Sequence, residues 1–229
     1  MVQSINTKAL ITLATVLRHP SLLVPSVSVA HISQLNYTAL YSTGVRAVVF
    51  DKDNTLTAPY ENVVHPAADR GLKDAVKVFG TNKVAILSNS AGTTSDDLDF
   101  ADATAIETSL GIAVIRHAEK KPGGLQEVLR HFAMEDPAEL CMVGDRLLTD
   151  VVFGNLHGML TVHTLPLCQG PENTKDNWTA KWLRPMENGL LYGRGGRLLR
   201  NQRLTHKLWA GEETLSLVLK EEEEPTSSA

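Results

Sequence analysis

Two carboxylates two residues apart, Asp51 and Asp53, close the apolar run Ala47 to Phe50, with Lys52 between them. A buried parallel strand ending in such a pair exposes it at the sheet edge where open α/β folds bind ligands. Carboxylates spaced this way on one turn point in different directions, so one can attack while the other handles protons. Asn54 tolerates the left-handed backbone that such a turn needs. Alone, Asp-x-Asp is common on surfaces, and a solvated turn or a calcium-type loop accounts for it equally well. Three further strand ends supply partners: Ser88, a hydroxyl donor; Lys121, a fixed cation; and Asp145 with Asp150, two more acids. Together they make a phosphoryl-transfer set, in which positioning and charge neutralisation carry the catalysis. An oxygen-rich site of this kind suits Mg2+. Each piece also has a plain structural reading. Ser88-Asn89 would start a turn, Lys121 before Pro122 would be a solvated helix start, and Gly144-Asp145 with Thr149 and Asp150 would form an N-cap. The ordered combination is much less expected by chance than any one piece.

The elements that must position these groups alternate along the chain. Apolar runs predict strands at 47–50, 83–87, 112–115, 140–143 and 160–163. Between them, helical periodicity covers 66–79, 97–110, 122 to about 134, and a stretch ending near 156. That alternation predicts an α/β fold, a parallel sheet with helices on both faces. Past residue 165 the pattern loosens; 198–209 reads as a basic helix and 214–219 as a short apolar turn.

At 229 residues, 43% apolar, the chain can build one sizeable α/β core with extensions. A net charge of −4 argues neither for nor against nucleic acid or membrane, and nucleic acid is not an expected partner. The distribution says more: the first fifty residues hold Lys8, Arg18 and Arg46 and no acid, and Arg194 to Lys207 form a basic series. Glu221 to Glu224 read as a solvated tail. Cys141 and Cys168 give no disulfide framework, which suits a reducing compartment. No apolar stretch is long enough to cross a bilayer. Residues 8–18 put Leu10, Leu13, Ala14 and Leu17 on one helical face. Packing on the core and lying in a membrane interface fit that face equally, with a cleaved targeting segment behind both. The expected organisation is a membrane-associating segment over 1–40, a catalytic core over 41–170, a helical extension over 171–220 and a disordered acidic tail over 221–229.

The four motifs resemble the haloacid dehalogenase superfamily of phosphotransferases over roughly residues 45–164. The resemblance implies a HAD-like Rossmannoid sheet. Asp51 would attack phosphorus and form an aspartyl-phosphate, and Asp53 would protonate the leaving alkoxide and then deprotonate water. Ser88 would hold a phosphoryl oxygen and Lys121 would balance charge; Lys121 is preferred over Lys120 because the family's lysine commonly precedes proline. Asp51, the carbonyl of Asp53, Asp145 and Asp150 would hold Mg2+. More closely, Asp-Lys-Asp-Asn-Thr, Ser-Asn-Ser-Ala-Gly, Arg-His-Ala-Glu-Lys-Lys-Pro-Gly and Val-Gly-Asp-Arg-Leu-Leu-Thr-Asp are similar to the mitochondrial phosphatidylglycerophosphate phosphatases of that superfamily. This implies conversion of phosphatidylglycerophosphate to phosphatidylglycerol for cardiolipin synthesis by a peripheral protein on the matrix side of the inner membrane. Bacterial relatives share Lys-Asp-Asn-Thr, so a soluble nucleotide or sugar phosphate remains the alternative substrate.

Spacing adds that 36 residues separate Asp51 from Ser88; a helix and a strand use most of them, so no large cap domain fits. An open site suits a headgroup presented at an anionic phospholipid surface, or a neighbouring subunit of a homo-oligomer acting as lid. Further substrate-binding candidates are Asn89, Arg116, His117 and Arg146. Arg116 and His117 are the candidates for the second phosphate of a diester lipid, and three of the four have a structural counterpart: loop shaping for Asn89, a surface position for His117, a salt bridge to a carboxylate for Arg146.

Overall fold

The computed structural model describes residues 14–168, 189, 202, 204–209 and 217–218. At its centre is a sheet of six parallel strands in the order β1-β6-β5-β2-β3-β4. These are β1 (Val27–Val29), β2 (Ala47–Phe50), β3 (Val84–Ile86), β4 (Ala113–Val114), β5 (Leu140–Gly144) and β6 (Leu160–Thr164). Every residue of β2 and β5 is buried, as apolar runs in a sheet covered on both faces must be.

Alternation along the strands sorts the core into two layers. Val48, Phe50, Val84, Ile86, Cys141 and Val143 pack on one face with Leu72 and Ala75 of α3 (Pro66–Phe79) and Ile106 of α4 (Ala101–Leu110). Ala47, Val49, Ala85, Leu140 and Met142 face the other way, onto Val128 and Phe132 of α5 (Leu125–Phe132) and Phe153 of α6 (Val152–Leu156). Each large apolar side chain so buried contributes about 1.5–3 kcal/mol. Helix α3 spans the residues expected of it. Helices α4 and α5 start later than their periodicity suggests. The Asp97 carboxylate gathers the amides of Gly92, Asp102 and Ala103 and Phe100 adopts φ 53°, so 97–100 is a turn. Gly124, at φ 90°, holds α5 to a start at Leu125.

At the N-terminus, residues 20–40, part of the segment over 1–40 that sequence reading left between core packing and membrane contact, are woven into the core. A 3-10 turn, Pro20–Leu23, leads into β1, which adds an edge strand beside β6 with Val27 opposite Val162. The short helix α2 (Tyr37–Ser42) buries Tyr37 and Leu40. Asn155 pins this segment: its Nδ2 donates to the carbonyls of Leu22 and Val24, both at 2.9 Å, and its Oδ1 accepts from Thr161 Oγ1 at 3.0 Å. Residues 14–18 lie in a helix, α1, but Val16 is the buried residue, packed with Leu22, Leu23, Leu147 and Val151, while Leu17 is exposed. Leu10 and Leu13 lie outside the described residues.

Of the expected helix over 198–209, residues 204–209 instead form a turn in which Trp209 N–H donates to His206 O. Trp209 and Leu217 are drawn into the core, and Val218 bridges Leu35. That inward pull replaces helical continuity. The remainder of the 171–220 extension, the basic residues Arg194 to Arg203 and the acidic tail lie outside the described residues. Among the described residues no helix is long and apolar enough to cross a membrane.

Candidate active site

The parallel register brings the strand ends together. Asp51 N–H donates to Val143 O at 2.8 Å and Leu87 N–H to Phe50 O at 2.9 Å. The loops after β3 and β5 therefore flank the turn after β2. That turn is tight: the amides of Leu56 and Thr57 both donate to Lys52 O, and Asn54 sits at φ 65°, the left-handed conformation its side chain tolerates. Asn54 Oδ1 accepts the Cys168 amide at 3.1 Å, tying the turn to the segment after β6.

Lys121 joins the acids. Its Nζ lies 2.6 Å from Asp51 Oδ1 and 2.6 Å from Asp150 Oδ1, inside a site where the Lys121 and Asp150 side chains are almost wholly buried. Lys120 turns outward to Asp96 at 2.8 Å. Burial alone would favour neutral lysine, but the Asp150 and Asp51 carboxylates outweigh it and hold the ammonium above its ordinary range. Burial also pushes the Asp150 carboxyl up to about 6, helped by the neighbouring Asp51 charge and resisted by Lys121. Asp51, Asp145 and Asp150 each offer an oxygen, all within 4.8 Å of one another. Three carboxylates facing one ammonium leave excess negative charge, and their hard oxygens form a donor set compatible with a divalent cation.

Close approach of Asp150 depends on Gly144. A Cβ there would stand 2.3 Å from Asp150 Oδ2. The π-turn Leu147–Val151 returns Asp150 over the strand end, where Oδ2 accepts the Arg146 amide at 3.1 Å. His163 Nε2 lies 3.1 Å from the Asp145 carbonyl and steadies the chain there.

Asp53 is placed differently. Its carboxylate is outside the three-acid cluster; Oδ1 takes Lys52 Nζ at 2.7 Å and Tyr60 N–H at 3.0 Å. Ser88 is buried beside the Asp51 turn, its Oγ accepting from the amides of Ser90 and Ala91.

The secondary candidates separate. Asn89 Oδ1 accepts the Lys121 amide at 2.8 Å, so it fastens the Ser88 loop to the lysine loop. His117 N–H donates to Gly92 O, and its carbonyl accepts from Thr94 N–H, locking the same two loops. Its ring is buried, with Nδ1 2.9 Å from Ile115 O. Burial lowers its proton affinity and Lys121 adds to this. Arg116 is engaged at the edge of the sheet. Its guanidinium pairs with Glu107 and donates to Val114 O at 2.6 Å, while Glu107 Oε1 accepts Val114 N–H at 2.8 Å. Together they cap the outer edge of β4, an edge that otherwise invites pairing with another chain. Arg146 stays beside the cluster, half-buried. Lys52, Asp97 and His163 received no role from sequence reasoning. Only Lys52 carried a signal, a charge set between two acids at the end of a buried strand.

An all-parallel sheet with an Asp-x-Asp turn, a lysine and two further acids at one edge defines a haloacid dehalogenase-like fold. The family model described as Mitochondrial PGP phosphatase matches residues 7–167. The chain belongs to that family. It is 42% identical over 171 residues to phosphatidylglycerophosphate phosphatase 1, chloroplastic, of Chlamydomonas reinhardtii, covering 71% of this chain and 63% of the relative. It is 38% identical over 203 residues to phosphatidylglycerophosphate phosphatase 1, chloroplastic/mitochondrial, of Arabidopsis thaliana, covering 82% and 58%. With the mitochondrial phosphatidylglycerophosphatase GEP4 of Saccharomyces cerevisiae it shares 36% identity over 146 residues, covering 62% and 77%. The chain thus spans about three-fifths of the length of the two plant-lineage relatives.

Proposed function

We propose that this chain is a Mg2+-dependent phosphatase that hydrolyses phosphatidylglycerophosphate to phosphatidylglycerol and phosphate, supplying cardiolipin synthesis. The observation that carries the reading is the Lys121 ammonium shared between Asp51 and Asp150 at 2.6 Å each. This supports a cation balancing charge where a phosphoryl group would meet the attacking carboxylate. Asp51 attacks phosphorus and the bond to the glycerol oxygen breaks; Asp53 gives that oxygen its proton. Water then attacks the aspartyl-phosphate, its proton passes to Asp53, and phosphate leaves with Asp51 restored. Ser88 binds a phosphoryl oxygen, and Lys121 balances charge on nucleophile and phosphate. Arg146 would touch the phosphate. Asp51, Asp145, Asp150 and the Asp53 carbonyl would hold Mg2+, which supplies charge neutralisation at the phosphoryl oxygens.

The lipid substrate is supported by the family and by the names of the relatives. The compartment we propose is the matrix side of the mitochondrial inner membrane, with the protein peripheral on anionic phospholipid. Two relatives are called chloroplastic, so fractionation that tests this must include plastids. Phosphate release from phosphatidylglycerophosphate in mixed micelles, against a panel of nucleotide and sugar phosphates, tests the activity. Faster turnover of the soluble panel would replace the lipid reading.

A further inference from the structure

Lys52 has no task in the reaction above, yet its position is costly. The side chain is 4% exposed, and a buried ammonium persists only where its donors are satisfied. All three are used: Nζ reaches Asp53 Oδ1 and Glu61 O at 2.7 Å each, and Thr57 Oγ1 at 3.4 Å. Tyr60 N–H adds a second donor to the same Asp53 oxygen at 3.0 Å. No described residue bonds Asp53 Oδ2. A carboxylate with both donors on one oxygen presents the other in a fixed direction. The partners come from one stiff loop, since Thr57 bridges to Asp53 and to Val64.

We propose that Lys52 is a positioning residue. It clamps Asp53 through Oδ1 so that Oδ2 exchanges the proton with the leaving oxygen, and it ties that carboxylate to residues 57–61. This rests on the reading of Asp51 as nucleophile and Asp53 as proton donor. The proton moves only when the departing oxygen is basic. An alkoxide must be protonated as its bond to phosphorus breaks; a nitrophenolate leaves without help. A defect in aiming Asp53 therefore slows the first step for alkyl phosphates and spares it for nitrophenyl phosphate, whereas simple loss of loop support slows both.

The test is rapid-mixing measurement of first-turnover release of the leaving group, with Mg2+, from phosphatidylglycerophosphate and from p-nitrophenyl phosphate. Reading the first turnover keeps the later hydrolysis of the intermediate out of the comparison. Lys52→Met, close in shape and apolar, should slow lipid release by about 10- to 100-fold, up to the lower end of what positioned proton transfer supplies, and change nitrophenolate release less than about threefold. Lys52→Arg keeps the charge and the donors in a misfitting shape. It should show the same selectivity at smaller size, and it decides the matter if Lys52→Met does not fold. Equal slowing of both substrates, or of neither, overturns the positioning role. A wild type inert toward both overturns the underlying reading of Asp51 and Asp53, and the proposal with it.

Discussion

Gly144→Ala replaces one hydrogen by a methyl at the one strand end where there is no room for it. The new Cβ would lie 2.3 Å from Asp150 Oδ2, 2.4 Å from its Cγ and 2.6 Å from its Cβ, whereas ordinary contact begins at 3.4 Å. Something must move by about 1 Å (3.4 minus 2.3). The strand resists, because Gly144 pairs with His163 on one side and Val143 O receives the Asp51 amide on the other. Asp150 therefore yields, giving up its 2.6 Å contact with Lys121 and its 3.1 Å bond from the Arg146 amide. Bonds to charged groups contribute about 1.5–3 kcal/mol each. Losing good geometry in both costs roughly 3 kcal/mol at the metal cluster, or on the order of a hundredfold. The assay is Mg2+ titration, by calorimetry without substrate and by turnover of an aryl phosphate. Gly154→Ala is the control. Its Cβ would meet Thr161 Cγ2 at 2.4 Å where α6 packs on β6, so it should cost about 1–3 kcal/mol of stability and leave Mg2+ half-saturation unchanged. A folded Gly144→Ala protein with wild-type Mg2+ affinity and turnover would refute the assignment of Asp150 to the cluster.

Other outcomes follow from the same contacts. Asn155→Ala removes three hydrogen bonds that hold the N-terminal segment to α6 and β6. It should lower stability by about 2–3 kcal/mol, seen as an earlier denaturant midpoint at unchanged slope; a loss under about 0.5 kcal/mol would mean the pin carries no weight. Asp97 has its carboxyl held below the usual range; burial opposes this, but the amides of Gly92, Ala103 and Asp102 prevail. A lowered folded value adds stability that is complete above the unfolded pKa of about 3.9 and is lost as pH falls through the folded value. Asp97→Asn should thus cost about 1 kcal/mol near neutrality through the loss of charge on the acceptor of three amide bonds, and the gap to wild type should close in acid. A gap that stays constant down to pH 2 would contradict that origin.

Much of the site was legible because it sits where apolar runs stop. Strands β2 and β5 are continuous hydrophobic stretches, and the parallel connection forces their ends to one edge, so Asp51 and Asp145 could be grouped from spacing alone. The choice of Lys121 over Lys120 came from the proline that follows it. What escaped was held by partners distant in sequence. Strand β1 is three residues long, and its partner β6 lies 135 positions away. The same span hides the Asn155 network. Arg116 looked available because its partner Glu107 is nine residues earlier, on a helix that returns along the outside of β4. Basic periodicity at 198–209 suggested a helix, but His206 to Trp209 turn inward because Trp209 has a core position to fill. That β1 belongs to the sheet also matters for truncation. Removing residues 1–30 deletes a strand, so it tests folding as much as membrane contact.

The most direct measurement is phosphate release from phosphatidylglycerophosphate by wild type and by Asp51→Asn, each with and without Mg2+. Turnover by the wild type that needs Mg2+, and none by a folded Asp51→Asn protein, is the expected result. Undiminished turnover after Asp51→Asn, or a wild type that leaves the lipid phosphate intact, would contradict it.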